Sequence, residues 1–255
     1  MARYTHALGR AFSHEEPDES ININLKLVDI HRNGTITEDY LLNVNPKGQV
    51  PALTGGDLSA PLTDSLDISF WLCDHFPILL PDAHELAIRE LLSRLHKFKG
   101  LSLSVTSKTD RHAGVPLPEL YATLARSDIS QEYRSALKYK KQFHRETQEP
   151  ALREENVEAA ERSATLLFAD VLKIYTAQEN GAALWIFGET PTVLDAHLVP
   201  LIARLLDCER TDLVPTELQV YALAAMSRPE YQAVTHGRRT LWDVSVGHVH
   251  LLEDF

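Results

Sequence analysis

Two stretches of this chain have residue types and spacing that could do chemistry. They are Asn45-Pro46-Lys47-Gly48-Gln49-Val50-Pro51-Ala52-Leu53 and, a short way on, Thr63-Asp64-Ser65. The first reads as a turn, built from Asn-Pro and Lys-Gly, that delivers a short extended segment through the Val50-Pro51 bond. Proline carries no N–H and fixes φ, so it belongs at a strand start or edge. An X-Pro bond can also be cis at modest cost, which leaves the N–H and C=O of Val50 free. Free backbone groups of that kind pair with an extended peptide as an added strand would. The second stretch reads as a helix start. Asp64 and Ser65 put a carboxylate and a hydroxyl beside N–H groups that lack intrahelical partners, a place that also favours anions.

The elements that must hold these stretches follow from period and punctuation. Residues 2–8, with Tyr4 and Leu8 as apolar positions, predict a short strand, and Ile21 to Val28 alternate as a half-covered strand does. Asn33-Gly34 is a turn signal, and Thr37 to Val44 offer a turn or two of helix. Val50–Thr54 and Leu58–Leu62 read as a hairpin around Gly55-Gly56, which supply positive φ. The helix from Ser65 ends near His75-Phe76-Pro77, and Pro77 to Pro81 is the expected linker.

Beyond it the chain reads as helical. Ala87 to Leu101 carries Ile88, Leu91, Leu92, Leu95 and Phe98 as one stripe. Tyr121–Leu124, Tyr133–Glu146 and Asn156–Tyr175 continue the pattern. The basic run Lys138, Lys140, Lys141 and Arg145 reads as a solvated face. Thr192 and Asp195 have capping-box spacing ahead of an apolar run, a folding device rather than a functional pair.

Composition bounds the classes. The 255 residues are 44% apolar, enough to bury a real core, and the net charge of −11 removes the attraction a nucleic-acid binder needs. Cys73 and Cys208 lie far apart, so neither a disulfide framework nor a dithiol site is indicated. His248 and His250 share a face only on a strand, and two ligands do not make a metal site. No apolar run approaches a membrane span and the start lacks a signal-peptide apolar region, so the expectation is a cytoplasmic protein.

The site stretches together resemble the glutathione transferase family, through N-P-x-G-x-V-P-A-L followed by an acidic-Ser pair that opens an apolar helix. The Thr192–Asp195 cap agrees with the family's central helix. The resemblance implies an α/β thioredoxin-like domain over residues 1–80 and an all-α domain over 84–255, with ligand where they meet. It implies that Val50, before Pro51, pairs with the cysteinyl backbone of glutathione. Asp64 and Ser65 would hold the γ-glutamyl end, with Gln49 and Lys47 as further polar contacts. It also implies a homodimer, with the helix around Ala87–Phe98 as interface.

In the family a Tyr, Ser or Cys just after the first strand stabilises the thiolate. Here the usual first helix lacks its amphipathic signature. Tyr4, Thr5 and Ser13 are the hydroxyl candidates, Ser13 being preferred as catalytic because it lies past the strand, and Arg10 is an additional candidate anion contact. No cysteine falls in the region, which disfavours the thiol-exchanging members. Four readings remain open. The leading one is a transferase conjugating an apolar electrophile; the style of the sequence resembles fungal members that serve natural-product pathways. The others are a glutathione-dependent cis/trans isomerase, a non-catalytic glutathione-binding or interaction module, and a structural dimer without ligand. Phe98, Tyr121 and Trp185 are candidates for the apolar wall.

Overall fold

The structure, a computed structural model, describes residues 1–13, 23–56, 58–106, 117–178 and 183–241. Ala2–Phe12 forms a helix, α1, where the sequence predicts a strand. Tyr4, Thr5, Leu8 and Gly9 are buried together, the spacing of one helical face. Gly9 is what lets α1 lie down: a Cβ there would come within 2.6 Å of Cγ of Phe76. The expected strand at Ile21–Val28 is likewise corrected. Ile21 and Asn22 lie outside the described residues, residues 23–28 pair with no strand, and Leu25 is 48% exposed.

Asn33 makes the predicted turn with φ of 64°, and Tyr40–Val44 forms a π-type turn. The predicted hairpin reduces to one antiparallel bridge, Leu53 with Leu62, across Gly55 and Gly56 at φ of 89° and 59°. Asp64 caps helix α2 (Ser65–His75), accepting from Leu66 N–H at 2.8 Å. Within the expected linker, Pro77–Leu79 forms a packed turn with Leu79 fully buried. The next stripe forms α3 (Glu85–Lys97), breaks at Phe98, and resumes as α4 (Gly100–Ser104). Then come α5 (Pro118–Ala125), α6 (Gln131–Thr147), α7 (Glu154–Thr176), α8 (Val193–Asp207), α9 (Thr216–Met226) and α10 (Pro229–Thr235). Among the described residues no helix is long and apolar enough to cross a membrane.

Among the described residues two apolar clusters form. The larger joins α1, α2 and α3 to α7–α10 around α8, so elements on both sides of Pro77–Pro81 share one core. The smaller sets Ile36 and Leu41 against Leu120, Tyr133, Ala136 and Leu137, and so lays the segment before the site loop on α5 and α6.

Central helix α8 is buried all round at its start, and it carries two polar anchors. The first is Asp195. Its carboxylate accepts from Thr192 N–H at 2.7 Å, one arm of the predicted capping box, which is present, and from Thr192 Oγ1 at 2.8 Å. It also accepts from Ile186 N–H at 3.1 Å and Tyr221 O–H at 2.7 Å. Burial pushes its pKa up while those donors pull it down.

The second anchor is His197, in a chain that crosses four helices. His96 Nε2 lies 2.9 Å from His197 Nδ1, His197 Nε2 lies 2.8 Å from Ser69 Oγ, and Ser69 Oγ lies 3.1 Å from Thr5 Oγ1. Thr5 spends its proton on the Met1 carbonyl. With that proton so placed, Ser69 donates to Thr5, His197 Nε2–H to Ser69, and His96 Nε2–H to His197; with Thr5 donating to Ser69 instead, every link reverses. The chain ties α2 to α1, α3 and α8, and Ser69 sits one turn below Ser65 on the same helix face.

Replacing Asp195 with Ala leaves four donors without their acceptor, so a loss of about 3–5 kcal/mol is expected, read as a lower midpoint in denaturant unfolding. His197 is fully buried, and burial holds its pKa well below 6.5. The unfolded imidazole then binds a proton that the folded one refuses, so stability is present above the unfolded pKa and falls on acidification. The expected slope is up to ~1.4 kcal/mol per pH unit below about 6.5. Unfolding curves of the wild type and His197→Asn across that range should show a shallower pH dependence in the variant, from a lower starting stability.

Candidate functional site

The loop is built by its own side chains. Asn45 is fully buried; its Oδ1 accepts from Lys47 N–H at 2.9 Å and its Nδ2 donates to the Gln49 carbonyl at 2.8 Å. Tyr40 O–H donates to the same carbonyl at 2.7 Å. Gly48 takes φ of 59°, the left-handed region that suits glycine. With Gln49 held, the chain enters Val50, and the Val50-Pro51 bond is cis. Among the described residues the N–H and C=O of Val50 make no hydrogen bond, and Val50 is 46% exposed. This is the free pair of backbone groups that the sequence predicts.

The Leu53–Leu62 bridge brings the second stretch to the first. The bridge lies three residues after Val50 and three before Ser65, so it ties the loop to the start of α2. Asp64 is exposed at the start of α2, and the Ser65 hydroxyl has no partner among the described residues. The Gln49 amide and the Lys47 ammonium are also without side-chain partners among the described residues. The loop and the start of α2 thus carry unpaired backbone groups, a hydroxyl, a carboxylate, an amide and an ammonium. Such a set suits a short zwitterionic peptide lying along Val50 with one end at Ser65. His96 faces this end of α2: burial lowers its pKa, while Asp64 and Asp67 push the other way.

The hydroxyl candidates separate. Tyr4 is 1% exposed, edge-on to Tyr231, with its O–H unpartnered and its pKa pushed up by burial. Thr5 belongs to the interhelical chain. Ser13 ends α1, not a strand, and donates to the Gly9 carbonyl at 2.7 Å. Arg10 is exposed. Of the three wall candidates, Trp185 is core, packed edge-on against Phe12, and Tyr121 is half-exposed beneath Lys141. Phe98 does line a cavity of about 600 Å³ between α3, α4, α6 and α7, with Lys97, Lys99 and Ser163, but Val50, Asp64 and Ser65 are not in its wall. His248 and His250 lie outside the described residues.

Helix α6 holds residues that the reading of the basic run missed. Lys140 is not on a solvated face: it is 6% exposed and its Nζ donates to the Gly48 carbonyl at 3.0 Å. Tyr133 O–H donates to the Ile36 carbonyl at 2.6 Å, and Ser130 bonds Glu38. The signal was present, because Tyr133, Leu137, Lys140 and His144 recur at helical spacing as one buried stripe.

Residues 19–75 match the family described as "Glutathione S-transferase, N-terminal domain". No curated protein matches the sequence significantly. Among solved structures, the chain is similar to a maleyl pyruvate isomerase described as a bacterial glutathione S-transferase of the Zeta class. That likeness covers 91% of this chain and 89% of the other, at 17% identity and a TM-score of 0.51. A glutathione transferase homologue from Sulfitobacter, with bound glutathione, aligns over 92% and 91% at 19% identity and a TM-score of 0.48. A maleylacetoacetate isomerase from Methylobacterium extorquens, with malonate and glutathione, aligns over 90% and 88% at 17% identity and a TM-score of 0.43. What the first of these shows at such identity is architecture: the chain has the glutathione transferase fold, with the sequence features of that family's N-terminal domain over residues 19–75.

Proposed function

We propose that the chain binds glutathione along Val50 and at the start of α2, and uses it as an enzyme on an apolar electrophile. The observation that carries this reading is the unpaired N–H and C=O of Val50, on a loop that the Leu53–Leu62 bridge ties to the start of α2 and its free Ser65 hydroxyl. The cysteinyl backbone would pair with Val50. The γ-glutamyl carboxylate would meet Ser65 and the first N–H groups of α2, and its ammonium would meet Asp64. Gln49 and Lys47 would contact the glycyl end. Residues 1–80 would supply this site and residues 84–255 the electrophile's surroundings. Ser13 is the hydroxyl proposed to reach the thiolate, giving up its bond to Gly9. Pairing of two copies through α3, whose Leu86 is 83% exposed, is proposed as the oligomeric state.

In the leading reading the thiolate attacks an electrophilic carbon, a C–S bond forms, and the leaving group departs with its electron pair. The second reading is favoured by the fold likeness to the maleyl pyruvate isomerase. There the thiolate adds to an electron-poor double bond, rotation follows about the new single bond, and elimination breaks the C–S bond and returns glutathione unchanged. Both need the same peptide site.

Product mass separates them. Incubated with glutathione and either an aryl halide or a cis-enone acid, a transferase yields the glutathione adduct of the halide with loss of halide. An isomerase returns the enone at unchanged mass with trans geometry. Mutation of Ser65 to Ala should slow either reaction about tenfold at low glutathione. Protein that binds glutathione and turns over neither substrate would contradict the enzymatic reading.

A further inference from the structure

Lys140 is a buried cation that the proposed chemistry has not used. Its stem crosses Gly48 closely enough that a Cβ on residue 48 would come 3.0 Å from both Cδ and Cε. Its Nζ is held by the Gly48 carbonyl, a neutral acceptor, and it forms no ion pair among the described residues. The charged groups around it are engaged elsewhere. Glu38 bonds Ser130, Asp39 bonds Asn43, Glu149 faces His144, and Lys141 lies over the Tyr121 ring. A buried ammonium with one neutral partner is poorly compensated, and a negative charge brought near it is favoured. Burial lowers its pKa accordingly.

The place where such a charge would arrive is two residues along the same loop, at Val50. We propose that Lys140 is a positioning residue for the Val50 segment and that its ammonium is the counter-charge for the thiolate of a peptide thiol paired there. This rests on the glutathione reading above and adds to it, besides the Ser13 hydroxyl, a charge that stabilises the ionised sulphur. The step is an ionisation: the S–H bond breaks, the electron pair stays on sulphur, and the proton passes to water. Lys140 keeps its own protons throughout.

Two substitutions divide position from charge. Lys140→Gln keeps an N–H donor for the Gly48 carbonyl and removes the charge; Lys140→Met removes both. Thiolate ultraviolet absorbance of bound glutathione, titrated against pH, reads the ionisation directly. The wild type should ionise the bound thiol below the ~8.5 of a free thiol, and both variants should raise that value by about one unit, tenfold less thiolate at a given pH. Lys140→Met alone should also weaken binding of S-methylglutathione, which has no thiol to ionise. Bound glutathione in Lys140→Gln that titrates as in the wild type overturns the proposal. Wild-type protein that binds neither peptide overturns the glutathione reading instead, so the two failures are distinct. Should both variants fail to fold, calorimetry of the wild type and Ser13→Ala in two buffers of different ionisation heat decides the matter. Proton release with glutathione that is absent with S-methylglutathione and persists in Ser13→Ala supports the proposal; release lost in Ser13→Ala, or no release with either peptide, overturns it.

Discussion

One fully buried carboxylate among the described residues organises this molecule. Asp195 gathers donors from its own helix cap, from the Ile186 turn and from Tyr221 on α9. A charge in that position is tolerable only because the donors are already in place around it. The arrangement sets where α8 starts. The turn before it closes through Trp185 and Gly188, whose N–H and C=O groups pair with each other, with Gly188 at φ of 128°. Once α8 is set, apolar packing from α1, α3, α7, α9 and α10 has a fixed axis to pack on.

The same helix transmits that order to the site. Two residues after Asp195, His197 begins the hydrogen-bonded chain through Ser69 to Thr5 on one side and to His96 on the other. Ser69 is on α2, so the start of α2, with Asp64 and Ser65, is held by the centre of the fold. The loop carrying Val50 is held from a different direction, by Asn45 and Tyr40 within the segment and by Lys140 and Tyr133 on α6. Two independently braced pieces therefore meet across the Leu53–Leu62 bridge. Because binding groups that are already in place need not be ordered by the ligand, such bracing favours affinity.

What could be read from sequence was what is local. The Asn45–Leu53 turn with its Val-Pro bond, the Asp64 cap and the Thr192–Asp195 box each depend on residues a few positions apart, and each is present. Helix α1 was misread because Tyr4 and Leu8 satisfy a strand and a helix alike over so short a window. What decides is Phe76 lying on Gly9, a contact far along the chain. The chain from His96 to Thr5 had no local signal at all, since its members come from four separate helices. Lys140 is the instructive miss: its run of basic neighbours suggested a wet face, while its spacing from Tyr133 and Leu137 already put it on the buried one. For Ser13 the premise of a preceding strand is gone, and its place at the end of α1 is what the structure offers in exchange.

The claim on which the account turns is that Val50, Asp64 and Ser65 form one peptide-binding site. Calorimetric titration of the intact protein with glutathione, repeated on Ser65→Ala, tests it most directly. The account predicts saturable one-site binding in the wild type that weakens by roughly tenfold or more in the variant, the ~1.4 kcal/mol of a lost charge-assisted contact. No heat and no thermal shift at millimolar glutathione, or equal affinity in the two proteins, would contradict it.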